Sequence, residues 1–135
     1  MHTQISPMLA VIDGNTAIEF YKAAFGAELL WHLDGAGHVV AGLSIDGAPF
    51  FLAHESPQYG TRGPGSVGFT TVRIELFVDD PRVVHRKAVA AGAVEHSPVE
   101  EHQHEFTGPK AFKRMLQGAV VDPFGHMWLI GKFLE

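Results

Sequence analysis

The chain has 135 residues, 46% apolar and 19% charged: enough for one domain with a buried core, and too apolar for a disordered or collagen-like segment. Ten Lys and Arg against fifteen Asp and Glu leave a net charge of −5 and an isoelectric point near 5.9, which argues against nucleic acid or an anionic membrane as partner. The absence of Cys removes disulfides, thiolate metal sites and thiol nucleophiles, and the lack of a long apolar run or a signal-like start leads us to expect a soluble, cytoplasmic protein.

In chain order, Ile5 to Ile12 reads as a strand and Asp13-Gly14-Asn15 as a turn. Thr16 to Phe25 reads as a helix, with Thr16 and Glu19 as a capping box. Its apolar stripe is Ala17, Phe20, Tyr21, Ala24 and Phe25, and Gly26 stands at the left-handed C-terminal position. Three strands follow: Leu29 to Leu33, His38 to Ile45 and Pro49 to His54. Asp34-Gly35-Ala36-Gly37 and the hairpin pair Asp46-Gly47 separate them. Ser56 to Phe69 is a Gly- and Pro-rich linker, too short for a disordered tether. The second half repeats the programme. Val72 to Val78 alternates as a strand, Asp80 caps and Pro81 opens a helix running to Ala91, and Gly92 stops it. Val94 to Pro98, Met115 to Val121 and His126 to Phe133 are the later strands, with a long loop at about Glu100 to Arg114. The helix-ending glycines and strand-ending valines recur about half a chain length apart, so the sequence is a tandem repeat of strand, helix and three strands.

The segment Ala17-Ile18-Glu19-Phe20-Tyr21-Lys22-Ala23-Ala24-Phe25-Gly26-Ala27-Glu28 resembles the first helix of the glyoxalase/bleomycin-resistance/dioxygenase family, the vicinal oxygen chelate superfamily. Val78-Asp79-Asp80 and Val121-Asp122-Pro123-Phe124-Gly125-His126-Met127-Trp128 match its second half, and the details are most similar to the PhnB-like subgroup. The resemblance implies an α+β fold of tandem βαβββ modules, about 1–58 and 69–135, forming one glyoxalase-like domain. Their mixed sheets would curl into a cup with helices outside. It also implies a homodimer. Members use the cup either for metal-dependent chemistry or for holding a small molecule, so the cup residues must decide.

Strand alternation sorts the faces. Val72, Ile74 and Leu76 should pack under the helices, and Arg73, Glu75 and Phe77 should face the cup. The repeat carries that face to Ser6, Met8 and Ala10. In His38 to Ile45, Val39, Ala41, Leu43 and Ile45 form the apolar side, leaving His38, Gly42 and Ser44 opposite. In the last strand Met127 and Leu129 oppose Trp128 and Ile130, and the family alignment puts Leu129 inside. Metal-using relatives carry four His or Glu ligands, and the resemblance places Ser6, Phe51, Arg73 and Leu129 at those positions. Phe51 and Leu129 offer no donor and Arg73 repels a cation, so no metal cofactor is expected there.

Nine histidines are many for this length, and protonating all of them would reverse the sign of the net charge. His102 and His104, at i and i+2, have the spacing of a metal clip but also suit a solvated loop. His54 reads as a satisfied, partly buried histidine and His126 as a turn-stabilising residue. His32, His85 and His96 read as surface groups. No nucleophile elbow or phosphate loop is present.

The expected ligand site is therefore Ser6, Met8, His38, Phe51, Arg73, Glu75, Phe77, Met127 and Leu129, an apolar wall with sparse polar points. Arg73 could take a ligand's carboxylate or phosphate, or pair with Glu75. Phe106, Phe112 and Met115 could close over the mouth. The leading expectation is a metal-free protein binding an amphipathic aromatic or anionic small molecule. The alternatives are a metal-dependent lyase, isomerase or dioxygenase using displaced ligands such as His38, Glu75, His102 and His104, a metal-free enzyme with Glu75 or His38 as base, and a dimeric module with a filled core.

Overall fold

A computed structural model describes residues 1–36 and 38–134. Gly37, the last residue of the expected Asp34-to-Gly37 turn, lies outside the described residues. The chain divides into two units, Met1–Phe69 and Thr70 onwards.

In the first unit β1 (Met8–Val11) leads to α1 (Gly14–Phe25), then β2 (Glu28–Gly35), β3 (His38–Ile45) and β4 (Ala48–His54). The sheet order is β1-β4-β3-β2, with β1 parallel to β4 and the other pairs antiparallel. The hairpin β3–β4 turns at Asp46 and Gly47, both at positive φ, as its Asp-Gly pair requires. Helix α1 packs on β3 and β4. Ala17, Ile18, Phe20, Tyr21 and Ala24 of the helix and Leu9, Val11, Val39, Ala41, Leu43, Phe50 and Leu52 of the sheet are all buried, with the Tyr21 ring edge-on to Phe50 at 5.3 Å. Each large side chain removed from water here contributes about 1.5–3 kcal/mol.

Three expectations for this unit are corrected. Strand β1 is shorter than Ile5 to Ile12, because Pro7 has no N–H to give a ladder and Ser6 Oγ is bonded to Gln4 Nε2 at 2.7 Å. The Thr16/Glu19 capping box does not form. Asp13 caps α1, its Oδ1 accepting the Thr16 N–H at 3.1 Å, which starts the helix early, while Glu19 pairs with Lys22 at 3.6 Å. The segment expected as a linker is folded onto the first unit, with a 3-10 turn at Pro57–Tyr59 and a short helix α2 (Pro64–Val67) against β1.

The second unit repeats the plan: β5 (Arg73–Phe77), α3 (Pro81–Ala91), β6 (Val94–Gln103), β7 (Arg114–Val121) and β8 (Met127–Leu134), in sheet order β5-β8-β7-β6. The β5–β8 pair is parallel, and α3 packs across β6, β7 and β8. Asp80 caps α3 through the Val83 N–H, with Pro81 in its first turn. Strand β6 runs on to Gln103, past the expected end at Pro98, because its irregular pairing with β7 resumes at Glu100↔Gln117. The long loop thus shrinks to 104–113. Val72 is not under the helix: it precedes β5 and is 62% exposed. His85 is buried rather than a surface group, its Nε2 3.0 Å from the Ser97 carbonyl oxygen.

Among the described residues no helix is long and apolar enough to cross a membrane.

Candidate functional site

Alternation in β5 and β8 decides which side chains share the face away from α3. Parallel register sets Arg73 against Met127, Glu75 against Leu129 and Phe77 against Gly131. Trp128 (1% exposed) and Ile130 turn to the buried side, so Met127 and Leu129 lie on the same face as Arg73, Glu75 and Phe77. Strand β7 adds to this face, since Met115 pairs with Phe133, Gln117 with Gly131 and Ala119 with Leu129.

Two residues absent from the expected site complete it. Gln117 Nε2 donates to Glu75 Oε1 at 3.1 Å, fixing the carboxylate. Phe133 stacks between Phe77 (centroids 4.8 Å apart) and Phe112 (4.3 Å), and Phe106 meets it edge-on at 6.2 Å. A cavity of about 340 Å³ opens between Glu75, His104, Phe106, Met115, Gln117 and Phe133. A hollow of about 690 Å³ adjoins it, sharing His104 and Phe106 and lined also by Glu105, Phe112 and Lys113. The volumes suit a small organic molecule, and the lining mixes aromatic rings with a few polar groups. Of the nine expected site residues only Glu75 lines the smaller cavity. The two missed residues carried a signal in alternation: Gln117 follows Met115 by two, and Phe133 follows Leu129 by four.

His102, in β6, and His104, one residue past its end, have rings stacked with centroids 6.2 Å apart. His102 Nε2 lies 3.3 Å from the Gln117 carbonyl oxygen, which engages that nitrogen. Arg73 makes no ion pair with Glu75 among the described residues; the amide of Gln117 takes that place.

In the first unit Met8 and Phe51 are Cα partners across β1–β4, and the Phe51 N–H donates to the Pro7 carbonyl at 2.8 Å. Trp31 lies over Gly42, where a Cβ would come 2.4 Å from its Nε1, and its ring meets Phe51 at 5.5 Å. Ser6 stands before this strand. His38 opens β3, four residues before Phe51's partner Gly42, with its ring against His54 at 5.9 Å. Ser44 is not a cup group: its buried Oγ accepts the Gly47 N–H at 3.0 Å and braces the hairpin. Nor is His54 satisfied, since its buried Nδ1 has no hydrogen-bond partner among the described residues.

The superfamily's divalent metal can be tested against these residues. A hard or borderline ion needs three or four imidazole or carboxylate donors converging on one point. Among the Cα partners across the two parallel strand pairs, those at and beside the positions the resemblance points to are Met8 with Phe51, Arg73 with Met127, and Glu75 with Leu129. Glu75 alone among these six brings such a donor, and one of its oxygens is already bonded. No group of three or more His, Asp or Glu able to hold an ion occurs among the described residues. The donor set does not fit the metal.

A family model described as Glyoxalase/Bleomycin resistance protein/Dioxygenase superfamily matches residues 2–130. The uncharacterized protein Rv0887c of Mycobacterium tuberculosis is 35% identical over 133 residues, covering 95% of this chain and 73% of the relative. The solved structure of the Arabidopsis thaliana gene product AT5G48480 is 31% identical, with a TM-score of 0.66 over 96% of this chain and 98% of that one. The fosfomycin resistance protein FosX from Listeria monocytogenes, at 14% identity, shares the fold with a TM-score of 0.69 over 99% of this chain and 95% of that one. By sequence and by fold, the chain belongs to the glyoxalase/bleomycin resistance/dioxygenase superfamily.

Proposed function

We propose that this protein binds a small organic molecule without the superfamily's metal, in the manner of the bleomycin-resistance branch. The observation that carries the reading is the donor set at the strand positions that face each other. Met8, Phe51, Arg73, Met127 and Leu129 supply no imidazole or carboxylate, while Glu75 is bonded to Gln117 beside an open aromatic cavity. Glu75 and Gln117 would orient the guest, and Phe106, Phe133 and Met115 would exclude water from it. The reading includes the PhnB-like subgroup, supported by the segments Ala17 to Glu28 and Val121 to Trp128, and a homodimer, supported by the exposed apolar strand β2.

Elemental analysis of the natively purified protein tests the reading, paired with melting curves in the presence and absence of a chelator. The expected result is substoichiometric metal and an unchanged melting temperature. One tightly held Zn, Ni, Mn or Fe per subunit would overturn it in favour of a lyase, isomerase or dioxygenase.

A further inference from the structure

Loop 104–113 joins β6 to β7 in the second unit, and every one of its residues is exposed. Its base is firm. Gln103 pairs with Arg114 across the ladder, Arg114 Nη1 donates to Glu101 Oε1 at 2.8 Å, and the His104 N–H donates to the Lys113 carbonyl at 3.1 Å. Beyond that base no hydrogen bond or ion pair ties 105–112 to the strands among the described residues. What fastens the loop is aromatic. Phe112 stacks on Phe133 of β8 at 4.3 Å and 18°, and Phe106 meets the same ring edge-on at 6.2 Å. Phe77 of β5 stacks on Phe133 at 4.8 Å, so the ring that receives the loop is held by two paired strands. A few half-exposed ring contacts are a weak fastening beside a strand ladder, and such segments open locally while the rest of the fold stays closed.

The same loop builds much of the site. Every residue lining the hollow of about 690 Å³ belongs to 103–113, so the hollow keeps its shape only while the loop keeps its place. The smaller cavity takes His104 and Phe106 from the loop and its other walls from the strands. Resting on the small-molecule reading above, we infer that loop 104–113 is a lid latched by Phe112 on Phe133, and that a guest enters and leaves the smaller cavity when it opens. Phe112 acts as the latch and not as a wall, since it does not line that cavity. Met115, expected to close over the mouth with Phe106 and Phe112, lies instead on β7, lines the cavity and is 6% exposed.

The chain contains no Cys, so Met115→Cys places a single thiol in the cavity. Its reaction with dithiobis(nitrobenzoate), a small aromatic disulfide that must itself reach the cavity, is followed by the coloured thiolate released. Lids open in about microseconds to milliseconds, faster than this exchange, so the rate reads the open fraction. Adding Phe112→Ala should speed the reaction about tenfold, through loss of a ring stack and its buried area. Phe112→Tyr keeps the ring and should leave the rate within about twofold. Val120→Cys is the control, fully buried and paired with Trp128 on the other side of the sheet. Its rate should not respond to Phe112→Ala, which separates lid opening from loosening of the whole unit. A measurable Met115→Cys rate that Phe112→Ala does not move, or an equal acceleration at Val120→Cys, would overturn the lid and leave the small-molecule reading standing. If Met115→Cys stayed unreactive with Phe112→Ala as well, the cavity would admit no such molecule and both would fall.

Discussion

Asp122 is 4% exposed, and its carboxylate organises the turn that launches β8. Oδ1 accepts the Phe124 N–H at 2.9 Å and the His126 N–H at 3.0 Å, and Oδ2 accepts the indole N–H of the buried Trp128 at 3.0 Å. Asp122→Ala leaves these donors buried and unpaired, so a loss of about 3 kcal/mol or more is expected in denaturant unfolding. A loss under about 1 kcal/mol would mean that water replaces the carboxylate. Such an Asp-Pro-Phe-Gly turn was legible as a motif, but the sequence pointed to His126 rather than Asp122 as its brace. Gly42 works by absence: a Cβ there would strike the Trp31 indole. Gly42→Ala should swing that half-exposed ring outward, giving a red-shifted tryptophan emission and a cost of about 1 kcal/mol. Unshifted emission would contradict the packing of Trp31 on Gly42. Gln117 and Phe133 escaped notice for a related reason. Alternation fixes a side chain's face but not its neighbours across the ladder, which depend on the β5–β8 and β7–β8 registers.

At the scale of elements, helices were more legible than strand ends. Gly26 and Gly92 end α1 and α3 at positive φ, and Asp80 with Pro81 opens α3, all local chemistry. The start of α1 differs from the sequence reading because Asp13 accepts the Thr16 N–H, which puts Thr16 inside the helix instead of at its cap. The segment after β4 shows how far tertiary bonds overrule composition. Glu55 Oε1 accepts the Gly63 N–H at 2.9 Å and Oε2 accepts the Ser66 hydroxyl at 2.7 Å, tying the Gly/Pro stretch to the first unit. The Gly63 N–H, and after it the Ser66 hydroxyl, hold the Glu55 carboxyl below its ordinary value of 4.5. The Thr16 N–H likewise lowers Asp13 at the start of α1. A lowered carboxyl stabilises the fold above its unfolded pKa and loses that contribution as pH falls through the folded one. The Gly63 amide resonance should therefore shift on acidification with a midpoint below 4.5, and the shift should vanish in Glu55→Gln. A midpoint at or above that value would show that Glu55 does not hold α2.

At the scale of the whole molecule, the tandem plan was the most legible feature, because each half spells out its caps, turns and alternation independently. The superfamily's metal positions were legible only through resemblance, and their partners across the ladder, Met127 for Arg73 and Glu75 for Leu129, come from the register. Strand β2 carries a consequence beyond a single chain. It is the edge of its sheet, and all eight of its residues are exposed, with Leu30, Trp31 and Leu33 presenting large apolar side chains to solvent. An exposed apolar edge strand invites pairing with another chain unless charges or proline blunt it. Glu28 and Asp34 stand only at its ends, so nothing blunts its middle. The proposed homodimer would cover this strand, and sedimentation velocity on wild type and Leu33→Glu checks it. The wild type should sediment as a dimer at micromolar concentration, because burying these side chains drives association. Leu33→Glu should shift it to monomer by at least about tenfold in dissociation constant, since an unpaired carboxylate at the seam must be desolvated. A dimer unmoved by Leu33→Glu would place the interface elsewhere, and a monomeric wild type would remove the assembly altogether.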